Sequence, residues 1–455
     1  MKKKIIISIV LALFLVTLSG CGCKTNDSSQ VPMELEIWGP IDDSFTYSEI
    51  TETYQKLYPN IKSISYRKFS PDTYKRELLD ALASGQGPDI FLIHNTWLPS
   101  FSDKIIPAPT EIFNEQKLRL NFVDVVANDF LNQGKVWAAP LSVDSLALYY
   151  NKDLFNEAGI SNPPKNWNEF REDAKLLTKR SASSEIMQSG AAIGTAYNIN
   201  RSTDILNMLM TQSGTQTDDR GVLDLKTSKI TGGPSYFPSA DALSFFTQFS
   251  QASSPYYCWN SRMHYSIDAF SEGNLAMMFN YSWHIPTIKD KSPKLNFAIA
   301  SIPQFPGNVP ANYANYWGFA VTKNKISSTG MTNDARVAAT WKFINFLTTK
   351  PEGQLSVDGG ILGGGAVDPN FDPAKTYLEK SRKPAARRDI IELQKTDAEL
   401  GVFAKDNLIA KSWKQSQPEA IENIFAEMID QVNKGQANIN DAIETASQRI
   451  VKLSN

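Results

Sequence analysis

Strand-like and helix-like segments alternate along this chain, and this alternation constrains the fold more than any other feature. Residues 33–38 alternate apolar and polar side chains, which is typical of a strand, and residues 49–57 follow a helical pattern. Ser70 and Pro71 open a second helix, with the serine as N-cap and the proline in the first turn. Residues 89–93 indicate a buried strand. The order predicts an α/β fold with a largely parallel sheet.

The length and composition of the chain limit its class. With 455 residues it exceeds one average domain, so we expect two lobes. Hydrophobic residues make up 42% and charged residues 21%, as in a folded globular protein. The net charge of −2 gives no strongly basic face, so nucleic acid is not an expected partner. Three cysteines form no disulfide framework, although Cys23 and Cys258 could bridge outside the cytoplasm.

The N-terminus has the order of a secretory signal peptide. Three lysines from Lys2 onward precede the apolar run 5–18, which is shorter than the about 20 residues of a membrane-spanning helix. Residues 18–21, Leu-Ser-Gly-Cys, resemble a bacterial lipobox, in which the thiol of Cys21 receives a diacylglycerol. We therefore predict a lipoprotein signal peptide over residues 1–20.

The mature chain would then begin with its anchor. Residues 21–32 are small and polar, and they read as a tether. The pattern predicts a lipid anchor that holds the protein at the cell membrane, facing the extracellular or periplasmic side. An uncleaved anchor and ordinary cleavage nearby are the alternatives.

The chain shows none of the common catalytic or metal-binding motifs. Its histidines do not form His-Glu-x-x-His and no Cys-x-x-Cys pair exists, so we expect no metal site. The glycine-rich residues 359–365 lack the Gly-Lys-Ser/Thr ending of a phosphate loop. Asp42 and Asp43 could serve a glycosidase, but exposed acids in turns are common. We therefore expect that the protein is not an enzyme, and that it has no catalytic residue and no cofactor.

Aromatic and short polar residues recur where the predicted strands end. In open α/β sheets, ligands bind beyond the carboxyl ends of the strands. An indole ring stacks on the C–H face of a pyranose, while carboxylates and amides bind its hydroxyl groups. A single tryptophan of this kind is more often part of the core, but the recurrence favours a sugar. The residues in these positions include Trp38, Asp42, His94, Asn95, Trp97, Asp144, Trp283 and Trp317.

Four stretches of the chain resemble the extracellular solute-binding proteins of ABC importers, the family that includes the maltose-binding protein. Residues 84–90 are similar to the family's Ser/Ala-Gly-x-x-Pro-Asp strand, and residues 148–155, Leu-Tyr-Tyr-Asn-Lys-Asp-Leu-Phe, to its most diagnostic block. Residues 270–278 resemble its Phe-x-x-Gly-x-x-Ala-Met block, and residues 341–347 its late helix. The chain departs from the family at Gly363, where a late turn often has proline.

The resemblance implies a two-lobed periplasmic-binding-protein fold with discontinuous lobes, hinge segments and a cleft between the lobes. It implies an N-terminal lobe of residues 33–143 and 301–348, and a C-terminal lobe of residues 144–300 and 349–455. The expected crossing segments are 142–144, 300–303 and 348–351.

The resemblance also implies which residues contact the ligand. An acid before the Leu-Tyr-Tyr-Asn strand, here Asp144, accepts hydrogens from sugar hydroxyls, and the tryptophan after the Ala-Met strand, here Trp283, stacks on the sugar. The full predicted set is Trp38, Asp42, Asn95, Trp97, Asp144, Trp283, Trp317 and Trp413.

These features predict a lipid-anchored, monomeric receptor that captures a sugar or oligosaccharide and delivers it to the membrane subunits of an ABC permease. The alternatives are a secreted carbohydrate-active enzyme, a sensory sugar-binding subunit, and an importer receptor for a polyol, glycerol phosphate or peptide. The predicted strand ends carry no Arg or Lys, which favours a neutral ligand. The basic segment 380–388 reads as a solvated helical face or as a docking patch for the transporter.

Overall fold

The computed structural model describes residues 31–218, 220–228, 237–325, 331–351 and 367–454. The predicted signal peptide, Cys21, Cys23 and the glycine-rich residues 359–365 lie outside these ranges. No helix in the described ranges has both the length and the apolar character needed to cross a bilayer.

Short strands and helices alternate through most of the described chain. The strands are β1 (Met33–Gly39), β2 (Ile61–Lys68), β3 (Ile90–His94), β4 (Leu131–Asn132), β5 (Lys135–Val136), β6 (Asp144–Ser145), β7 (Ala147–Asn151), β8 (Lys179–Arg180), β9 (Ile186–Gln188), β10 (Gln216–Thr217), β11 (Leu223–Asp224), β12 (Met277–Asn280), β13 (Phe297–Ala300), β14 (Asn312–Asn315), β15 (Trp317–Val321) and β16 (Ala410–Lys411).

The helices cover the sheets and form most of the C-terminal part. They are α1 (Ser44–Leu57), α2 (Pro71–Ala83), α3 (Leu98–Phe101), α4 (Glu115–Asn121), α5 (Asp124–Phe130), α6 (Lys152–Glu157), α7 (Trp167–Leu176), α8 (Ser202–Ser213), α9 (Pro238–Thr247), α10 (Ser266–Ser271), α11 (His284–Lys291), α12 (Asn333–Thr348), α13 (Pro373–Ser381), α14 (Arg388–Gln394), α15 (Gly401–Asp406), α16 (Pro418–Asn433) and α17 (Ile439–Ser454).

A four-stranded sheet forms the centre of the first lobe, in the order β15-β3-β1-β2. Strands β1, β2 and β3 run parallel, with α1 and α2 as their crossover helices, and β15 joins β3 in the antiparallel direction. Trp317 pairs with His94, so β15 begins where β3 ends. Aromatic residues from two distant parts of the chain therefore meet at one edge of the sheet.

The second lobe has a three-stranded sheet in the order β12-β7-β13, and both pairings are antiparallel. The expectation of a largely parallel sheet is therefore wrong for this lobe. Alternation along the sequence reports element types, but the direction of a strand depends on which strand becomes its neighbour. Here β7 is the central strand of the sheet, and its two neighbours, β12 and β13, both come from a later part of the chain.

Two hydrophobic cores divide the described chain between the lobes. A small sheet, β16-β14-β6, joins the segments that cross between them, with Asn315 opposite Asp144 and Asn312 opposite Ala410. Core membership changes between Val143 and Leu146 and between Tyr313 and Ala314, and it alternates over residues 391–413.

Two segments pack differently from the predicted lobes. Residues 301–313 stay with the second lobe, because Gln212 of α8 donates hydrogen bonds to the carbonyls of Pro303 and Ala311 at 3.2 and 2.8 Å. Helices α13 and α14 pack with the first core, where Tyr377 contacts Tyr47 of α1 with ring centroids 5.6 Å apart. The remaining lobe boundaries stay a prediction.

The basic segment 380–388 has both buried and exposed cations, so its interpretation as a solvated face fails for some of its members, while docking to the transporter stays a prediction. Arg387 is 1% exposed and forms ion pairs with Asp372 and Asp389. Lys383 is paired with Asp42, with Nζ and Oδ1 2.5 Å apart. These two cations have acidic partners because buried cations require them, whereas Arg382 and Arg388 are exposed and pair with Asp397 and Asp124 at the surface.

Two helix starts differ in how they are capped. The side chain of Asn166 caps α7 by accepting hydrogen bonds from the backbone N–H groups of Asn168 and Glu169. Ser70 precedes α2 as predicted, but its side chain makes no capping hydrogen bond. Cys258 is a buried free thiol, and burial raises its pKa to about 12.

Candidate functional site

A cavity of about 500 Å³ lies between the two cores. The first lobe contributes the ends of β1 and β3, the start of α2 and the start of β15. The second lobe contributes the start of α8, the loop after β12 and one face of α16. Four of the predicted site residues line it, which are Trp97, Asp144, Trp283 and Trp317. A concave, largely apolar chamber with a few polar groups is the usual form of a small-molecule site.

The first lobe presents an aromatic wall, formed by His94, Trp97 and Trp317. The rings of Trp97 and Trp317 meet edge to face with centroids 5.1 Å apart, and His94 lies 5.3 Å from Trp317. Phe101 stacks behind Trp97 at 5.2 Å, and Tyr74 packs 6.0 Å from Trp317. Such offset and edge-to-face contacts are favourable, so the packing fixes the orientation of both indole rings.

Hydrogen bonds define the protonation of His94. Its Nε2 lies 3.0 Å from Oδ1 of Asn315, which can only accept, so Nε2 carries the proton and donates. Nδ1 lies 2.8 Å from the Thr96 hydroxyl and accepts from it. Burial lowers the pKa of His94 to about 4, because desolvation disfavours the charged imidazolium. The aromatic wall is therefore uncharged at neutral pH.

Asp144 lies in β6, at the junction of the lobes. It accepts hydrogen bonds from the backbone N–H of Ser145 and of Ser282, both at 2.9 Å, and from the Ser282 hydroxyl. Burial raises its pKa to about 7, although these bonds oppose the shift. The carboxyl group faces the cavity and ties the hinge to the loop after β12.

The second lobe presents a polar wall, formed by Arg201, Asp204, Trp283 and Glu422. Trp283 is 37% exposed and stacks on Tyr281 with centroids 4.3 Å apart. Arg201 precedes α8 and lies 5.8 Å from the centre of the Trp283 ring. Asp204 and Glu422 line the cavity from α8 and α16. This wall offers one open aromatic face surrounded by charged groups.

A salt bridge joins the lobes beside the cavity. Lys75 of α2 lies 2.8 Å from the Glu419 carboxylate of α16, and the same ammonium lies 5.1 Å from the centre of the Trp97 ring. Burial alone would raise the pKa of Glu419, but the bond from Lys75 lowers it below its ordinary value. The first lobe thus makes a direct contact with the second lobe next to the aromatic wall.

Trp38 and Trp413 are not among the residues that line the cavity. Trp38 is 7% exposed, and its indole N–H donates to Glu36 at 2.7 Å. Trp413 is 4% exposed and donates to Asn207 at 2.9 Å. Both indole N–H groups therefore donate to partners within the protein, and both rings are buried in the hydrophobic cores rather than at the cavity surface.

Asn95 and Asp42 also lie behind the cavity surface. The Asn95 amide donates to Asp129 at 3.1 Å, within the first lobe. Asp42 accepts from Tyr47 at 2.6 Å and pairs with Lys383, and it is Lys383 that lines the cavity. Asp42 can therefore influence the cavity only through Lys383.

Sequence reasoning missed the charged residues of the cavity. Arg201, Asp204 and Glu422 come from helices and Lys383 from the basic segment, so none stands at a predicted strand end. The predicted strand ends carry no Arg or Lys, but Arg201 and Lys383 reach the cavity from other parts of the chain. The only sequence signal was the position of Arg201 and Asp204 at the start of a helix, which by itself is common.

No group of three or more His, Cys, Asp or Glu side chains in the described part of the chain is arranged to hold a metal ion. Comparison with known families gives a match of residues 39–354 to the bacterial extracellular solute-binding protein family. The match covers more than half of the chain and includes most of the cavity-lining loops.

Matches to individual relatives have low sequence identity but cover most of the chain. A binding protein of Brucella abortus is 25% identical over 313 residues, which cover 67% of this chain and 68% of that protein. A maltotriose-binding protein of Pyrococcus abyssi is 23% identical over 320 residues, covering 70% and 62%. The crystal structure of the cyclic α-maltosyl-1,6-maltose binding protein of Arthrobacter globiformis matches with a TM-score of 0.70 at 18% identity, covering 93% of this chain and 99% of that one. At such identity the likeness shows the two-lobed fold.

Proposed function

The chain belongs to the bacterial extracellular solute-binding proteins, and we propose that it captures a sugar or oligosaccharide in the cavity between its lobes. One observation carries this proposal: flat indole faces and open polar groups line the same cavity. Trp97 and Trp317 from one lobe and Trp283 from the other can stack on the C–H faces of pyranose rings. Sugar hydroxyls both donate and accept, and the polar wall offers partners for both roles.

The chemistry of the walls supports a saccharide over a purely apolar ligand. An apolar ligand would leave the buried carboxyl and guanidinium groups of the polar wall without partners, which is unfavourable. The relatives support the same class, since one is a maltotriose-binding protein and a structural neighbour binds cyclic maltosyl-maltose. We assign no catalytic role to the cavity.

Ligand capture would favour closure of the lobes. A ligand shifts a conformational equilibrium only by its difference in affinity for the two states. Because the two walls belong to different lobes, a sugar that contacts both binds the closed form better than an open one. The crossing segments around β6, β14 and β16 are the hinge in this proposal.

The cellular role follows from the sequence and the family. We propose that the chain is a monomeric receptor that delivers its ligand to the membrane subunits of an ABC importer. We further propose that residues 1–20 are removed and that Cys21 carries the lipid anchor. Loss of [³H]palmitate labelling in Cys21→Ser would support the anchor, and unchanged labelling would contradict it.

A thermal-shift screen tests the ligand class. The purified protein is heated with neutral mono- to tetrasaccharides of the gluco, galacto, manno and arabino series, and a ligand that binds only the native state raises the melting temperature. Calorimetry then gives the dissociation constant, and chromatography of the same mixture checks for reaction products. Stoichiometric binding without turnover is expected. Hydrolysis of the sugar, or no shift with any saccharide, would contradict the proposal.

A further inference from the structure

Arg201 is a charged side chain that lines the cavity without a hydrogen-bond partner in the described part of the chain. Among the residues that the structure describes, none hydrogen-bonds its guanidinium or forms an ion pair with it within 4.0 Å. Its contacts are the Trp283 ring at 5.8 Å and the longer-range attraction of Asp204 and Glu422. A guanidinium carries five N–H donors in a fixed fork, so the cavity holds a set of open donors beside an exposed indole face.

The backbone holds Arg201 in an unusual conformation. Its φ and ψ angles of 59° and 32° lie in the left-handed region, which residues other than glycine rarely adopt. The neighbouring turn fixes this geometry, since Ser202 donates its hydroxyl to the carbonyl of Ala196 at 2.6 Å. Strained positions of this kind cluster at ligand sites, and here the side chain lines the cavity.

Two carboxyl groups accompany Arg201. Asp204 accepts a hydrogen bond from the Tyr281 hydroxyl at 2.8 Å, and a weak contact from the Asn315 amide at 3.5 Å. Glu422 has no hydrogen bond to any described residue. Burial raises the pKa of both carboxyl groups, while the charge of Arg201 opposes the shift. The subsite therefore has donors and acceptors within one region, with more carboxyl groups than cations.

The other charged groups of the cavity do not change this balance. Lys383 is paired with Asp42 and Glu419 with Lys75. Asp144 adds a further carboxyl group, already bound by Ser145 and Ser282. Arg201 is therefore the one cation among the described lining residues without an ion-pair partner, and the carboxyl groups of Asp204 and Glu422 lie in the same cavity.

We propose that Arg201, Asp204 and Glu422 form a subsite for two neighbouring hydroxyl groups of an uncharged sugar and discriminate against sugar acids. The two parallel N–H groups of Arg201 donate to the oxygens of the diol, and the carboxylates accept the hydroxyl hydrogens. A carboxylate or phosphate on the sugar could accept from Arg201, but it brings no hydrogen for Glu422 and is repelled by both acids. The inference rests on the proposed function and specifies its ligand class.

Matched sugar pairs and three variants test the subsite. Glucose and glucuronate, and galactose and galacturonate, differ only in the oxidation of C6, and calorimetry gives their dissociation constants. We expect the wild-type protein to bind the neutral member of the preferred pair at least tenfold more tightly. Arg201→Lys keeps the charge but loses the fork, and it should weaken neutral binding about tenfold or more. Glu422→Gln should reduce the discrimination against the acid about tenfold, because it removes one repulsive charge.

Controls separate the subsite from general effects on folding. Glu427→Gln lies on the same helix as Glu422 but pairs with Arg449 away from the cavity, and Arg119→Lys changes an exposed arginine. Both should leave all four dissociation constants unchanged, and every variant should retain the wild-type melting temperature without sugar. Binding of the uronate as tightly as its neutral partner would overturn the inference while the proposed function stands. It would also be overturned if Arg201→Lys and Glu422→Gln both left the ratio of the uronate and neutral-sugar dissociation constants unchanged. No binding of any saccharide would overturn both proposals.

Discussion

The two walls of the cavity are built in different ways. On the aromatic wall, Trp97 and Trp317 pack against each other and both nitrogens of His94 are hydrogen-bonded. On the polar wall, Trp283 is 37% exposed and Arg201 has open donors. The aromatic wall is part of a core, whereas the polar wall includes Arg201 and Glu422, whose charged groups have no hydrogen-bond partner among the described residues. If the cavity binds a sugar as proposed, the aromatic wall would provide a rigid surface and the polar wall would provide selectivity.

The largest expected effect is on the free energy of unfolding, when an indole ring of the aromatic wall is removed. Trp97→Ala removes contacts with Phe101, Tyr74 and Trp317, and we expect the free energy of unfolding to fall by about 3–5 kcal/mol. Urea denaturation without sugar measures it. Trp283→Ala is the matched control, because the exposed indole should change stability by less than about 1 kcal/mol. If Trp97→Ala and Trp283→Ala lowered the free energy of unfolding equally, the conclusion that only the aromatic wall is part of a core would be contradicted.

The pH dependence of stability tests the buried histidine of the aromatic wall. Because the folded pKa of His94 is about 4 and the ordinary value is 6.5, the unfolded chain takes up the proton first as the pH falls. Its stabilising contribution is present above pH 6.5 and is lost between pH 6.5 and 4, by roughly 3 kcal/mol in total. Asp144 acts in the opposite direction, with a folded pKa of about 7, so total stability alone does not isolate His94.

The difference between wild type and His94→Gln isolates this contribution. We expect the stability advantage of the wild-type protein at pH 7 to shrink by pH 4.5 in urea denaturation. His264→Gln, at an exposed histidine, is the control. An advantage that is the same at both pH values would contradict a neutral, buried His94.

The third prediction concerns the polar wall itself. Trp283→Ala should weaken binding of the sugar found in the thermal-shift screen by about 1–3 kcal/mol, because the ring offers its face to the cavity. Calorimetry measures the dissociation constant. An unchanged dissociation constant would show that Trp283 is not part of the binding surface.

The smallest effect on stability is expected for the salt bridge that joins the lobes beside the two walls. Lys75 and Glu419 form a partly exposed ion pair, and a double-mutant cycle with Lys75→Met and Glu419→Gln should give a coupling of about 0.2–1 kcal/mol in the unliganded protein. The coupling should decline in 1 M salt, since screening weakens exposed pairs. A coupling that persists undiminished in salt would show that this contact is not a simple surface ion pair.

Much of the fold was accessible from the sequence. The resemblance to the extracellular solute-binding proteins is confirmed, and so is the two-lobed α/β class. The Gly-Asn-Leu-Ala-Met block predicted β12 with Trp283 after it, because a strand and its following turn are encoded locally. The antiparallel second sheet was not accessible, since strand direction depends on partners that are distant in sequence.

The site was predicted less completely than the fold. Trp97, Asp144, Trp283 and Trp317 reach the cavity, whereas Trp38, Asp42, Asn95 and Trp413 lie behind it. All eight have a suitable residue type in a suitable context, so sequence could not separate them. The separation depends on which side chains find a partner inside the fold, as Trp38 does with Glu36.

The sequence by itself determined the succession of strands and helices, the family and the supply of aromatic residues, because these follow from local periodicity and short motifs. Tertiary structure decided which indoles line the cavity, that Lys383 and Arg387 of the basic segment pair with buried or partly buried acids, and that Arg201 and Glu422 line the same cavity. The physical reason is that a cavity wall is assembled from segments far apart in the chain, and the burial and charge of each side chain depend on neighbours that sequence order does not specify.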